Sequence, residues 1–221
     1  MIPVSVLVVA KAPVPGLAKT RLAAAVGNDL AADIAAAALL DTLDAVAGSQ
    51  VAARVVALTG NLDDAKRSDE IRSRLADFVV VPQRGDDFAD RLANAHLDTA
   101  AVTGGLPVLQ IGMDTPQVTA ELIGRCAQSL VDNEAVLGMA RDGGWWVLGV
   151  TDAATAECLR SVPMSAPETG AETRAALLHT GVTVKLLSEL ADVDTLDDVD
   201  VVRRACLPDS RFSRITAQVR A

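Results

Sequence analysis

The sequence predicts an α/β protein, a three-layer αβα sandwich on a mostly parallel sheet. Short Val-rich runs alternate with Ala/Leu-rich stretches of helical periodicity, which is the rhythm of βαβ units. The runs are also apolar without alternation, as expected of strands covered on both faces. With 221 residues, 50 % of them hydrophobic, the chain has enough apolar material for one continuous core.

Pro3 to Ala10 predicts the first, central strand. Asp29 to Ala47 follows as a helix, with Ala35, Leu39, Leu43 and Val46 on one stripe and Gly48 just past its end. Ala53 to Leu58 (strand), Asp63 to Ala76 (helix), Phe78 to Val81 (strand) and Asp86 to Val102 (helix) continue the pattern, with right-handed crossovers. Pro107 to Gly112 predicts a strand and Thr119 to Val131 a helix capped by Thr119. Ala135 to Ala140 and Trp146 to Val150 read as strands joined by a turn holding Asp142, Gly143 and Gly144. Glu168 to His179 (helix), Val182 to Leu187 (strand) and Thr195 to Cys206 (closing helix) complete one domain over residues 1–207. A C-terminal tail, 208–221, is expected to fray after Pro208.

The 20 Lys plus Arg against 29 Asp plus Glu give a net charge of -9, which argues against nucleic acid as the main partner. A small polyphosphate needs only local cations. Of the lysines Lys11, Lys19, Lys66 and Lys185, the first two share one loop with Arg21. Cys126, Cys158 and Cys206 are widely spaced without a CxxC pair, which fits a reduced, cytoplasmic setting. The apolar start is too short to span a bilayer and lacks a basic leader.

The loop Lys11-Ala-Pro-Val-Pro-Gly16-Leu-Ala-Lys19-Thr20-Arg21-Leu22 leaves the first strand at the edge where open α/β sheets bind ligands. Pro13 and Pro15 stiffen it, Gly16 permits a positive φ, and Lys19 and Arg21 supply charge-assisted donors for a pyrophosphate. It is not an ATPase P-loop, because Pro13 and Ala18 stand where that motif needs glycine. The competing reading is a rigid surface loop with solvated cations.

Three acidic stretches join it. Gly112-Met113-Asp114-Thr115-Pro116 sets a carboxylate directly after a buried strand, suited to Mg²⁺ or Mn²⁺, with an Asx turn as the plainer alternative. In Arg141-Asp142-Gly143-Gly144-Trp145-Trp146, Asp142 is a candidate for a sugar hydroxyl or acceptor group, while core packing is the favoured role for the tryptophans. In Asp192-Val193-Asp194-Thr195, Asp194 or Thr195 is read as a helix cap, with one of the acids open as a second metal ligand. His96 is assigned to packing as a satisfied, partly buried side chain, His179 to a helix C-terminus and Cys126 to the core.

These motifs, together with Gln83 through Asp90-Arg91-Leu92, resemble the nucleotide-diphospho-sugar transferase family, small GT-A-type glycosyltransferase-like proteins related to molybdopterin and phospholactate guanylyltransferases. The resemblance spans most of the chain. It implies that Lys11, Gly16, Lys19, Arg21, Gln83 and Arg91 bind the nucleotide and its phosphates. Asp114 and Asp194 would hold Mg²⁺ or Mn²⁺, Asp114 and Asp142 would be catalytic, and Thr115, Asp142, Gly143 and Gly144 would meet the substrate. Two departures stand out: prolines replace the glycine-rich nucleotide loop, and Gly112-Met113-Asp114 lacks a full Asp-x-Asp. The expected function is a metal-dependent transferase using a nucleotide-diphosphate-sugar and an acceptor. A nucleotidyltransferase releasing pyrophosphate and a non-catalytic nucleotide-binding protein are the alternatives. Homo-oligomerisation is left open.

Overall fold

The computed structural model of the protein describes residues 1–219. One seven-stranded sheet runs in the order β3-β2-β1-β4-β6-β5-β7. Its strands are β1 (Ile2–Lys11), β2 (Val51–Thr59), β3 (Val79–Pro82), β4 (Val108–Gly112), β5 (Ala135–Ala140), β6 (Trp145–Val150) and β7 (Val184–Leu190). Only β6 runs antiparallel to its neighbours β4 and β5, as a hairpin return from β5 requires. The helices are α1 (Thr20–Val26), α2 (Asn28–Gly48), α3 (Ser68–Leu75), α4 (Phe88–Val102), α5 (Ala120–Val131), α6 (Thr169–His179), α7 (Leu196–Ala205) and α8 (Arg211–Thr216). The expected three-layer α/β architecture is therefore present.

Residue parity on β1 shows why the sheet is covered twice. Val4, Val6 and Val8 enter a core with α2, α3 and α5, whereas Leu7 and Val9 enter a second core with α4 and α6. A third cluster joins Leu22 of α1, Ile34 of α2, Val199 and Val202 of α7 and Phe212 of α8. The chain leaves β1 toward β2 on one side and later enters β4 on the other, so β1 and β4 flank the switch point where such sheets form a ligand crevice.

Several expectations need correction. The helix read over Asp63 to Ala76 is split into a 3-10 turn at Leu62–Asp64 and α3, because Arg67 adopts a left-handed φ of 54° between them. Helix α1 and the 3-10 run Ala153–Ser161 carry no periodic stripe long enough to announce them. Strand β7 lies further along than Val182 to Leu187. The tail does not fray after Pro208: Ser210 caps α8, Phe212 is completely buried, and Asp41 accepts from the Arg211 and Phe212 amides. Residues 220–221 of that tail lie outside the described residues. Among the described residues, no helix is long and apolar enough to cross a membrane.

Candidate functional site

The C-terminal ends of the parallel strands share one edge, and three loops there converge on Lys19. The loop after β1 is closed by Lys11, whose Nζ donates to the Leu17 carbonyl at 2.7 Å, and it turns at Gly16 with φ 78°. Lys19 then adopts a left-handed conformation, φ 47° and ψ 50°, immediately before α1. A non-glycine residue holds that conformation only where its surroundings enforce it. Here the ammonium is held by Asp114 Oδ2 and Asp194 Oδ1, both at 2.8 Å, and only 12 % of the side chain is exposed. Arg21, 69 % exposed, reaches Asp194 at 3.4 Å.

The acidic side is built by packing. Asp114 follows β4, and a Cβ on Gly112 would lie 2.8 Å from its Oδ1, so glycine leaves room for the carboxylate to fold back. Beyond β7, residues 191–194 form neither helix nor strand before α7. Val193 is buried in the third cluster, which turns Asp192 and Asp194 away from that core. The Val193 backbone amide donates to the Asp114 carbonyl at 3.2 Å, and the Gln117 side-chain Nε2 donates to the Ala191 carbonyl, stitching the two acidic loops together. One carboxylate oxygen from each of Asp114, Asp192 and Asp194 then lies within 4.8 Å of the others.

Those donors fit a hard divalent cation. Oxygens around Mg²⁺ or Mn²⁺ at about 2.1 Å lie about 3 to 4 Å apart, which needs only a slight contraction of this group. The Lys19 ammonium already stands among them as a monovalent stand-in. Burial pulls its pKa down, but Asp114 and Asp194 outweigh that and hold it above the usual lysine range. Burial pushes Asp194 up, but Lys19 and then Arg21 bring it below the usual carboxylate range. Asp192, which has no such partner among the described residues, is pushed up to about 7 by burial and by the charges of Asp114, Asp142 and Asp194.

Asp114, Asp194, Lys19 and Arg21 are thus brought together. Asp142 lies near enough to act on Asp192, and its Oδ1 accepts from the Gly144 amide at 2.8 Å. Gly143, at φ 94°, has no room for a Cβ, which would meet the Pro167 carbonyl oxygen at 2.0 Å; that contact seats the turn against the start of α6. Gln83 sits at the same edge but spends its amide on the carbonyls of Ala10 and Ala57, at 2.8 and 2.9 Å, clamping β1 to β2. Arg91 lies over the Phe88 ring, 5.9 Å from its centroid, with its Nε buried and unpartnered. Thr115 is buried, and its hydroxyl also lacks a partner. Both tryptophans pack as expected, Trp145 donating to the Thr173 hydroxyl and Trp146 to the Ser188 carbonyl.

The helix-cap reading belongs to Thr195, not Asp194: Asp198 accepts from the amides of both residues and from the Thr195 hydroxyl. Asp192 was the residue not singled out from the sequence as a ligand. Its signal was the two-residue spacing from Asp194 on either side of Val193, an apolar residue that packs into the third cluster.

The chain belongs to the family described as an uncharacterized protein conserved in bacteria (DUF2064), which it matches over residues 42–166. No curated protein matches the sequence. The fold is similar to that of a "putative nucleotide-diphospho-sugar transferase" from Desulfovibrio desulfuricans G20, with a TM-score of 0.86, 24 % identity, and 99 % of this chain and 95 % of that chain covered. It is also similar to a cytidylyltransferase from Leptospira borgpetersenii serovar Hardjo-bovis (strain JB197), at TM-score 0.58 and 15 % identity over 99 % of this chain and 95 % of that one. A manganese complex of Rv0371c from Mycobacterium tuberculosis H37Rv matches at TM-score 0.54 and 18 % identity, over 90 % and 97 % of the respective chains.

Proposed function

Taking that family and fold as the premise, we propose that the protein is a metal-dependent transferase that binds a nucleotide-diphosphate-sugar at the β1/β4 crevice. The observation that carries this reading is the meeting of the Lys19 and Arg21 loop with the carboxylates of Asp114, Asp192 and Asp194 at one strand edge. Asp114, Asp192 and Asp194 would hold Mg²⁺ or Mn²⁺, which when bound neutralises charge developing on a leaving diphosphate. Lys11, Lys19 and Arg21 bind phosphate oxygens on the turn set by Gly16, while the Gln83 clamp and Arg91 define the nucleotide side. Asp142 takes the proton of an acceptor hydroxyl, and Thr115, Gly143 and Gly144 shape the acceptor side. Catalysis of this kind is positioning plus electrostatic stabilisation. A cytoplasmic setting suits the three free cysteines.

The similarity to a cytidylyltransferase supports a second reading, in which an acceptor attacks the α-phosphate of a nucleoside triphosphate. Product analysis with Mg²⁺ or Mn²⁺ decides between the two. Nucleoside diphosphate released from an activated sugar supports the first, and pyrophosphate released from a triphosphate supports the second. Nucleotide-induced thermal stabilisation without product across both panels would leave only a binding protein.

A further inference from the structure

Lys19 contacts two members of the carboxylate group that is read above as the cation site, and this contact has a consequence for how an ion enters. We propose that Lys19 is an exchangeable internal counter-ion, whose ammonium fills the site while no divalent cation is bound and leaves when one arrives. The proposal rests on the metal-binding part of the function proposed above.

Mutual exclusion is the first argument. Nζ lies 2.8 Å from an oxygen of Asp114 and 2.8 Å from an oxygen of Asp194. An ion held by the same carboxylates would stand only a few ångströms from that ammonium, and two cations so close repel strongly in a site withdrawn from water. Charge balance points the same way. Three carboxylates face one ammonium and an exposed Arg21 at 3.4 Å, and Asp192 makes no ion pair among the described residues. A divalent ion can replace Lys19 and still find negative charge to neutralise.

The side chain is also mechanically suited to exchange. A lysine carries a compact charge on a flexible four-carbon stem, so its head can move by side-chain rotation alone, whereas the planar fork of arginine would be a poor choice. The Lys19 backbone meanwhile stays fixed in its left-handed conformation between the loop and α1. Ion entry would therefore free an ammonium that remains anchored to the loop bearing Lys11 and Arg21. A protein without metal would keep its acidic site neutralised, and one with metal would gain a mobile cation beside it.

The exchange is tested by calorimetric titration of nucleotide-free protein with Mn²⁺, comparing wild type, Lys19→Met and Arg21→Met. Competition lowers apparent affinity by the fraction of protein in which the site is open. Lys19→Met should bind Mn²⁺ about tenfold or more tightly than wild type, and Arg21→Met, which removes an exposed charge of the same sign, should change it by a much smaller factor. Equal or weaker binding by Lys19→Met, or an equal gain in Arg21→Met, overturns the exchange and leaves the metal site standing. Absence of Mn²⁺ binding in all three proteins overturns the metal reading as well. A measurement on the wild type covers poor folding of the variant. Among the four lysine ammonium signals seen by nitrogen-15 NMR, that of Lys19 should shift or vanish on saturation with Mg²⁺, and an unmoved signal in the Mg²⁺-bound protein overturns the proposal.

Discussion

Lys19 and His96 are both basic groups withdrawn from water, and the fold treats them in opposite ways. Lys19 stands at the strand edge with two carboxylates at 2.8 Å, and they hold its charge in place against burial. His96 lies between α4 and the sheet with no exposed surface, and neither ring nitrogen has a hydrogen-bond partner. Burial pushes its pKa down to about 4, offset only in part by the Gln110 side chain. The histidine is therefore fully rather than partly buried, and of the expected hydrogen bonding only the weak influence of Gln110 remains. The Oε1 of Gln110, the side chain that acts on His96, is unpartnered too. Desolvation alone neutralises a base, whereas desolvation with counter-charges fixes it as a cation. Only the second arrangement keeps a fixed charge at the strand edge.

The largest effect expected from breaking this contrast is at the edge. Asp114→Ala removes one partner of Lys19 and one proposed ion ligand, and turnover should fall by about a thousandfold or more while circular dichroism shows the fold intact. Unchanged turnover by the folded variant would remove Asp114 from the chemistry.

His96 gives the next effect, in stability and with a defined sign. Its folded pKa of about 4 lies below the ordinary value of 6.5, so as pH falls the unfolded chain takes up the proton first. The contribution of neutral His96 is complete above about pH 6.5, declines through the window down to pH 4, and amounts to about 3 kcal/mol in all. Urea unfolding across that window should show a steeper loss for wild type than for His96→Leu. Parallel curves would mean that the imidazole is not held neutral.

Lys19→Met leaves the carboxylates without their nearest cation. Because Asp114 and Asp194 are each 33 % exposed, water screens part of the cost, and a loss of about 2 kcal/mol is expected in metal-free buffer. Urea unfolding with and without Mn²⁺ checks this, since added ion should restore most of the loss. The smallest effect belongs to Thr195→Ala, which removes a hydroxyl from the cap at the start of α7 and should cost about 1 kcal/mol in the same assay.

Much of the fold was legible because it rests on local pattern. The nearly unbroken apolar run of β1, the stripe of α2 and the Thr119 cap of α5 each follow from neighbours in sequence, and the structure realises them within a few residues. Where a boundary depended on one backbone conformation, as at Arg67 before α3, composition offered no signal. The tail failed for a different reason: Phe212 is an apolar residue in a largely polar stretch, and segments distant in sequence, α1, α2, α7 and Val193, supply the surface that buries it.

The candidate site divides in the same way. Sequence by itself determined the residue types and their strand-end positions: a stiffened loop with Lys19 and Arg21, an aspartate after β4, a glycine turn with Asp142 and an acidic pair after β7. Those depend on short-range chemistry, namely proline and glycine at turns and acids just beyond apolar runs. Tertiary structure alone decided that Lys19 seats on Asp114 and Asp194, 95 and 175 residues away, and that Asp192 joins them. It also decided that Gln83 spends its amide on the sheet and that His96 is sealed without a partner. The reason is physical: a chain encodes which groups it carries locally, but which charges share a desolvated space depends on packing between distant segments, here Val193 pinned against Leu22, Ile34 and Phe212.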